Sequence, residues 1–456
     1  MYGVAKHTTT FKGRRARVMS TAFAAGVTFS LTVGSFALPG MASGKAKAKA
    51  KTSSSAAACV KAKPMTKAQA NSTTGITKNS VTVGNISILT GPVPGLFQGA
   101  PFGAAAYFAY INSKGGVNGR KIKLNSYDDA FSGQANAALT QKAMDKDFAI
   151  VGSMSLFDNY GCKVLATNGA MADVSTTLDP GTNALPNDFS PQPLAQAAPL
   201  GPYAAIKKKY PKAILKVGNL ISDADTAKAQ WAGQKAMMQH LGYKIVYERF
   251  VNPLETNFTS DVLNMKNKGV QFVYLTDANW QTVAAEVNEM AKQNYHPQVL
   301  FSAGPAYSMQ FMQAVGKKNA QNLILGQGQA LYLGEDAKIN PAVGNFDKWM
   351  KKTNPGYKPD LFSIFGWSAA QLFVQALSKA GKNPTRGSVM AQLKKVSKFD
   401  ASGLIAPSNP AKKLSPNCYM NAKIDNGKYV RTSPKKGWIC DMPAYGLHGY
   451  EPKVKL

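Results

Sequence analysis

A strict alternation of short apolar runs with helical stripes between residues 81 and 152 leaves this chain few folds to choose from. Val81 to Leu89 is mostly apolar and rich in β-branched residues, and the Thr90-Gly91-Pro92 that follows cannot prolong a strand. A buried strand is therefore expected to end there in an exposed loop. From Phe102 to Ile111 the residues Ala104, Ala105, Phe108 and Ile111 fall at i, i+1, i+4 and i+7. That spacing lays one face of a helix on a core, and Gly115-Gly116 stops it. Lys121 to Tyr127 alternates as a second strand, Ser132 opens a helix with the stripe Ala135, Ala138, Leu139 and Ala143, and Phe148 to Val151 makes a third strand. The order β-α-β-α-β implies a parallel sheet with helices on both faces, where ligands sit at the carboxyl ends of the strands.

The alternation continues. Cys162 to Gly169 reads as a short helix, and Met171 to Val174 as a strand ending in Ser175-Thr176-Thr177. Hydroxyls there suit either turn chemistry or hydrogen bonding to a ligand. Proline-rich residues 180 to 202 separate this unit from a second one. Its expected elements are a helix at Tyr203 to Tyr210, a strand at Ile214 to Val217, and a helix at Thr226 to His240 with Ala229, Ala232, Ala236 and Met237 inward. Further alternation follows up to a strand at Leu323 to Leu325, and Phe362 to Ala380 and Arg386 to Val396 read as helices returning to the first unit. The expected class is α/β, two doubly wound parallel-sheet lobes, with the first lobe at 80–200 plus 327–411, the second at 201–326, and a loop-rich extension at 412–456.

Charge and export signals frame these lobes. Lys and Arg number 54 against 24 Asp and Glu, and the first 80 residues contain 13 basic residues and no acidic one. Basic residues up to Arg17 precede an uncharged apolar stretch at 18–38 and the small residues around Ala42, so residues 1–44 read as an export signal and an extracytoplasmic location is expected. Residues 45–79 read as a basic, disordered tether. Such a tail favours an anionic cell-surface polymer or lipid as a partner, and no nucleic-acid module is recognisable. Four cysteines in an exported chain point to disulfides. Cys418 and Cys440 flank an apparent hairpin turning at Asp425-Asn426-Gly427, which selects that pairing and leaves Cys59 with Cys162.

Signals for catalysis are weak. GxSxG, HExxH and Walker A sequences are absent, the four histidines are scattered and no CxxC occurs, so neither an enzyme, a metal site nor a cofactor is expected. Asp128 and Asp129 are adjacent on a strand, point to opposite faces and fit strand-end turn roles. Loops after strands carry aromatic and apolar side chains suited to a small-molecule cleft: Leu96 and Phe97, then Trp280, then Tyr307. Each equally fits local core packing.

The sequence TGP after the first strand, the run AAAYFAYINSKGGVNGRKIKLNSYDDA, and NFTSDVLNMKNKGVQFVYLT resemble the leucine/isoleucine/valine-type solute-binding proteins of ABC importers, over roughly Val81 to Val396. The resemblance implies a type 1 periplasmic-binding fold, two lobes joined by a three-segment hinge, closing on a small-molecule ligand that is passed to an ABC permease. It implies carboxylate-binding roles for Ser155 with Leu156 and for Ser175 and Thr177. The tyrosine and glutamate of amino-acid-binding members would fall near Asp223-Ala224 and near Gly304, where neither type occurs. Only Asp223 or Asp277 remain to pair an ammonium. The expected ligand therefore carries a carboxylate or other polar acceptor on an apolar or aromatic body, gripped by Ser155, Ser175 and Thr177 and walled by Phe97 and Trp280. The other reading is a surface-attached structural or adhesion protein that keeps this scaffold without transport.

Overall fold

The computed structural model describes residues 59–193, 197–276 and 279–454. The expected export signal lies outside the described residues. The first sheet is built from β1 (Ser80–Ser87), β2 (Lys121–Asp128), β3 (Ile150–Val151) and β4 (Asp173–Val174), in the order β2-β1-β3-β4 with every pair parallel. The alternating sequence of residues 81–152 thus forms the expected sheet, with Val81 opposite Ile122 and Val83 opposite Leu124. Gly116, at φ +82°, takes the left-handed conformation that stops the helix Gly99–Ser113.

After β5 (Ala197–Pro199) the chain builds a second sheet. Its parallel part is β6 (Val217–Ser222), β7 (Ile245–Val251), β8 (Phe272–Leu275), β9 (Val299–Ser302) and β10 (Ile324–Gln327). The strand expected at 214–217 lies later, because Ala213–Leu215 closes a 3-10 turn on Tyr210 and Lys212 before the extended run begins.

The C-terminal region departs further from expectation. Instead of a separate loop-rich extension, β11 (Met420–Asp425) and β12 (Lys428–Ser433) add to β10 as an antiparallel edge, giving the seven-stranded order β12-β11-β10-β9-β8-β6-β7. Asn426 and Gly427 both have positive φ, as a two-residue hairpin requires. β13 (Ala444–Gly446) pairs with β5 and with β14 (Gly449–Tyr450). The chain therefore passes between the two sheets three times: after β4, at 327–331, and between 405 and 418. These crossings are joined to one another, since Gln192 Nε2 donates to Gly328 O, Gln329 Nε2 donates to Gln192 Oε1, and Ala406 N donates to Gly328 O.

Between its second and third crossings the chain supplies Pro341–Thr353, Leu361–Lys379 and Arg386–Leu393 as helices; the first of these was not foreseen. Leu361–Lys379 is long and apolar enough to cross a membrane, but it is mostly buried in this protein. It packs on Gly99–Ser113 at glycines: a Cβ on Gly103 would lie 1.9 Å from Ser363 O, and one on Gly366 1.9 Å from Ala100 O. Only hydrogen at these two positions allows so close a crossing.

Residues 59–79 also differ from the expected disordered tether. Lys63 N donates to Ala166 O, Lys67–Ala70 forms a short capped helix, and Cys59 is bridged to Cys162 with Cα atoms 5.6 Å apart. Cys418 is bridged to Cys440, Cα atoms 4.2 Å apart, one residue beyond the pairing of Tyr419 with Ile439. Both pairings agree with the sequence reading.

Candidate functional site

The strands of both sheets aim their carboxyl ends at one cavity of about 210 Å³. The first sheet contributes Phe97 after β1, Met154 and Leu156 after β3, and Leu178 after β4. The second contributes Ile221 and Ser222 at the end of β6, Tyr274 and Thr276 at β8, and Gly304 and Pro305 after β9. Helix Asp225–His240 forms one wall with Thr226, Gln230, Trp231 and Gln234, and helix Leu361–Lys379 forms another with Leu361, Phe362 and Phe365. Two hydrogen bonds join the walls: Thr226 Oγ1 donates to Leu156 O and Gln230 Nε2 to Leu178 O, each at 3.4 Å.

Among the described residues the lining contains no Asp, Glu, Lys, Arg or His. Tyr274, its one other titratable group, is held neutral: burial pushes its pKa above the ordinary range, and its hydroxyl shares a 2.6 Å hydrogen bond with Tyr203. On residues of this wall, Ser222 Oγ, Trp231 Nε1 and Gln329 Oε1 are buried and find no hydrogen-bond partner among the described residues. A buried polar atom left so costs about 1–3 kcal/mol. Ser222, Trp231 and Gln329 were missed from the sequence, and helix Leu361–Lys379, expected at 362–380, was not foreseen as a wall of the cavity. Ser222 was lost with the misplaced end of β6, and the others lack any local signal.

The expected site residues divide. Phe97 and Leu156 line the cavity. Ser155, Ser175 and Thr177 do not; they surround a separate cavity of about 30 Å³ behind β3 and β4, too small for an organic ligand. Their hydroxyls are already engaged. Ser155 Oγ donates to Asp129 Oδ2 at 2.6 Å and accepts from Phe157 N, Ser175 Oγ accepts from Ser153 N, and Thr177 Oγ1 donates to Asp188. The small cavity owes its polarity to inward Asn136 and Thr140, which also rotate helix Gly133–Lys146 away from its expected stripe: Ala135 and Leu139 are only half-buried and Ala138 is exposed. Polar pairing with Asp129, to which Asn136 donates at 2.9 Å, outweighs alanine burial here.

Four more of these residues lie elsewhere. Leu96 is buried in the core among residues such as Ile88 and Leu178, and Trp280 packs half-buried on the main core. Tyr307 is 1% exposed, edge-on to Tyr332 and Tyr429, and donates to Glu335 Oε2 at 2.7 Å. Asp223 is exposed and paired with Lys228. Asp277 lies outside the described residues. At Gly304, any Cβ would come 2.8 Å from Leu361 Cδ2, so an apolar side chain fills the space a glutamate there would need. Helix Asp225–His240 shows the same displacement as its first-lobe counterpart: Trp231, Met237 and Met238 are buried, while Ala229, Ala232 and Ala236 are half-buried. Asp128 fills the strand-end role, accepting from the Thr90 hydroxyl, Leu89 N and Ala130 N; burial raises its carboxyl, but these bonds, the Thr90 hydroxyl foremost, hold it below the usual range. Among the described residues no group of three or more His, Cys, Asp or Glu is arranged to hold a metal ion.

The sequence profile of the periplasmic binding protein family matches residues 80–428. The Leu/Ile/Val-binding protein homolog 3 of Brucella melitensis is 25% identical over 359 residues, covering 77% of this chain and 93% of the relative. Among solved structures, the fatty acid ABC transporter substrate-binding protein from Thermomonospora curvata superposes with a TM-score of 0.67 at 18% identity, over 80% of this chain and 94% of that one. The branched-chain amino acid transporter substrate binding protein from Streptococcus pneumoniae, in complex with isoleucine, gives 0.61 at 17% identity, over 78% of this chain and all of the other. At these identities the structural matches establish a common fold.

Proposed function

The chain belongs to the periplasmic binding protein family, and from that premise we propose that it is an exported receptor that captures a small organic molecule and delivers it to an ABC importer. The observation that carries this reading is the cavity at the strand ends of both sheets, walled by each of them and hydrogen-bonded across by Thr226 and Gln230. Its 210 Å³ exceeds the roughly 150 Å³ that admits a benzene-sized guest. Export is supported by the signal-like residues 1–44 and by two disulfides, which persist in oxidising compartments. The permease is the partner that the family implies, and the basic stretch before residue 80 suits an anionic surface polymer or lipid.

A thermal-shift screen of the mature protein against a library of small metabolites tests the receptor reading. A ligand present at 100 times its Kd adds about 2.7 kcal/mol to folding stability, and the shift grows with concentration. A library that yields no concentration-dependent shift would favour the scaffold reading, in which the protein serves adhesion or structure without a transported ligand.

A further inference from the structure

We propose that the amino-end face of the second sheet, opposite the large cavity, binds a phosphate-bearing polymer of the cell surface, built of phosphodiester-linked sugar or polyol units. The segments around the amino ends of β6 to β10 and the turn of the 420–433 hairpin are 205–216, 240–244, 264–271, 288–298, 316–323 and 423–428. They hold thirteen lysines and two acidic residues, Glu289 and Asp425. Both acids are already paired with lysines of the same face, Lys292 and Lys423. All of the thirteen except Lys423 are exposed. Asp277, the one acidic residue outside the described ones, follows Thr276, which lines the cavity at the other end of β8. A surface of one sign this dense attracts a polyanion.

These segments form one surface. Lys244 N donates to Ile214 O and Gln271 N to Lys216 O, so the loops before β6, β7 and β8 lie side by side. Lys266 Nζ donates to Gln293 O at 2.9 Å, joining the ends of helices Thr259–Asn267 and Trp280–Lys292. A Cβ on Gly427 would lie 3.0 Å from Lys317 Cβ, which places the hairpin turn against helix Met309–Asn319. Lysines in last turns complement helix carboxyl ends. Lys212, Lys216, Lys244 and Lys428 lie outside every α-helix and are not accounted for in that way. The opposite end of the same lobe has the reverse sign: Asp223, Asp225, Glu255 and Asp261 gather there, and the cations that reach them, Lys228 and Arg249, are held in ion pairs.

The face also has a recess. A cavity of about 270 Å³ opens between the ends of helices Trp280–Lys292 and Met309–Asn319, with Val287, Met290 and Leu300 as its apolar base and exposed His296, Gln298 and Lys318 at its rim. A sugar or polyol phosphate presents carbon to such a base and anionic oxygen to such a rim, where a lysine ammonium binds phosphate as a point charge. Orientation selects a polymer over a lipid surface, and on this point the inference rests on the receptor reading above. The large cavity lies at the carboxyl ends of both sheets, so a protein resting its basic face on the membrane would turn that cavity away from a permease in the same membrane. A polymer standing outside the membrane holds the basic face while the cavity is turned to the permease.

Calorimetry of the full mature protein with poly(glycerol phosphate) tests the proposal, with phosphatidylglycerol vesicles as a second arm. Lys317→Glu with Lys318→Glu is expected to weaken polymer binding at least about tenfold. Lys435→Glu with Lys436→Glu makes the same charge change on exposed lysines beyond the other end of β12, and is expected to weaken it less than about threefold. Both variants keep the basic residues before 80, so any contribution of that tail is common to them. Neutral Lys317→Gln with Lys318→Gln is expected to lower the slope of log K against log salt by about 1.5, as two lost phosphate contacts do with other polyanions. Should the first variant fail to fold, Lys216→Glu with Lys244→Glu repeats the measurement elsewhere on the face. Equal losses at the two ends of the lobe, no loss at either, or no binding of the polymer at low salt would overturn the proposal. A larger loss for vesicles than for polymer would overturn the choice of a polymer and turn the basic face to the membrane. None of these readouts involves the large cavity, so a metabolite screen without a hit would remove the receptor reading and leave polymer binding to be decided here.

Discussion

Two of the cavities at the carboxyl ends of strands in this protein are opposites. The larger lies between the two sheets, is walled by Phe97, Leu156, Phe362 and Phe365, and contains neutral polar groups, some without partners. The smaller lies inside the first lobe behind β3 and β4 and is lined by Ser155, Asp158, Asp173, Ser175 and Thr177; the hydroxyls of Ser155, Ser175 and Thr177 are bonded internally, while among the described residues Thr176 Oγ1, Asp158 Oδ1 and Asp173 Oδ1 are not. Ser155 and Thr177 donate their hydroxyls to the buried carboxyls of Asp129 and Asp188. Size separates the two, since about 30 Å³ holds no more than water and about 210 Å³ has room for an organic guest. The small cavity thus helps to hold the first lobe together, and the large one is the proposed binding site.

The disulfide between Cys59 and Cys162 separates the two most widely. Cys162 is packed in the core that backs the small cavity, with Ile86, Ile150 and Leu165. The bridge closes a separation of 103 residues, so replacing both cysteines by serine is expected to lower stability by about 5 kcal/mol in the chain-entropy model. Urea denaturation measures the loss. Ligand affinity, measured where the variant is still folded, should change less than twofold, and a tenfold loss would mean that the two cavities are coupled.

Substitutions inside the small cavity sharpen the contrast with less force. Asp129 accepts from Ser155 Oγ, Asn136 Nδ2 and Phe131 N, so Asp129→Ala strands three donors and should cost about 3 kcal/mol. Ser155→Ala removes one bond and should cost about 1 kcal/mol. Neither is expected to alter ligand affinity. If Ser155→Ala abolished binding at unchanged stability, the carboxylate-gripping role expected of that serine would be restored.

The last expected effect is a slope with pH. Burial, reinforced by neighbouring Asp188, pushes the Asp173 carboxyl up to about 8, while Asp188 is raised by burial and partly relieved by Lys413. Because the folded-state pKa of Asp173 exceeds its ordinary value near 3.8, the folded protein holds an extra proton between the two, and stability falls as pH rises from about 4 to about 8. Asp173→Asn should flatten that fall. Denaturation midpoints of the two proteins at pH 5 and pH 8 check it, and an identical slope in both would place the titration elsewhere.

The local order of this fold was legible because it is written in short-range periodicity. Apolar alternation and glycine stops between 81 and 152 define strands and helices whatever the rest of the chain does, and the turn at Asn426-Gly427 brings Cys418 and Cys440 together by its own geometry. Helix faces were read less well, since Asn136 and Thr140 turn inward only because Asp129 and its neighbours need partners. Sequence alone therefore determined the alternating α/β elements, the parallel sheets and the cysteine pairing. Tertiary structure decided that the 420–433 hairpin extends the second sheet, that helix Leu361–Lys379 walls the cavity, and that Ser155, Ser175 and Thr177 are spent while Ser222, Trp231 and Gln329 keep unpartnered atoms. Periodicity acts over a few residues, whereas the partner a buried polar atom finds is set by contacts between residues far apart in the chain.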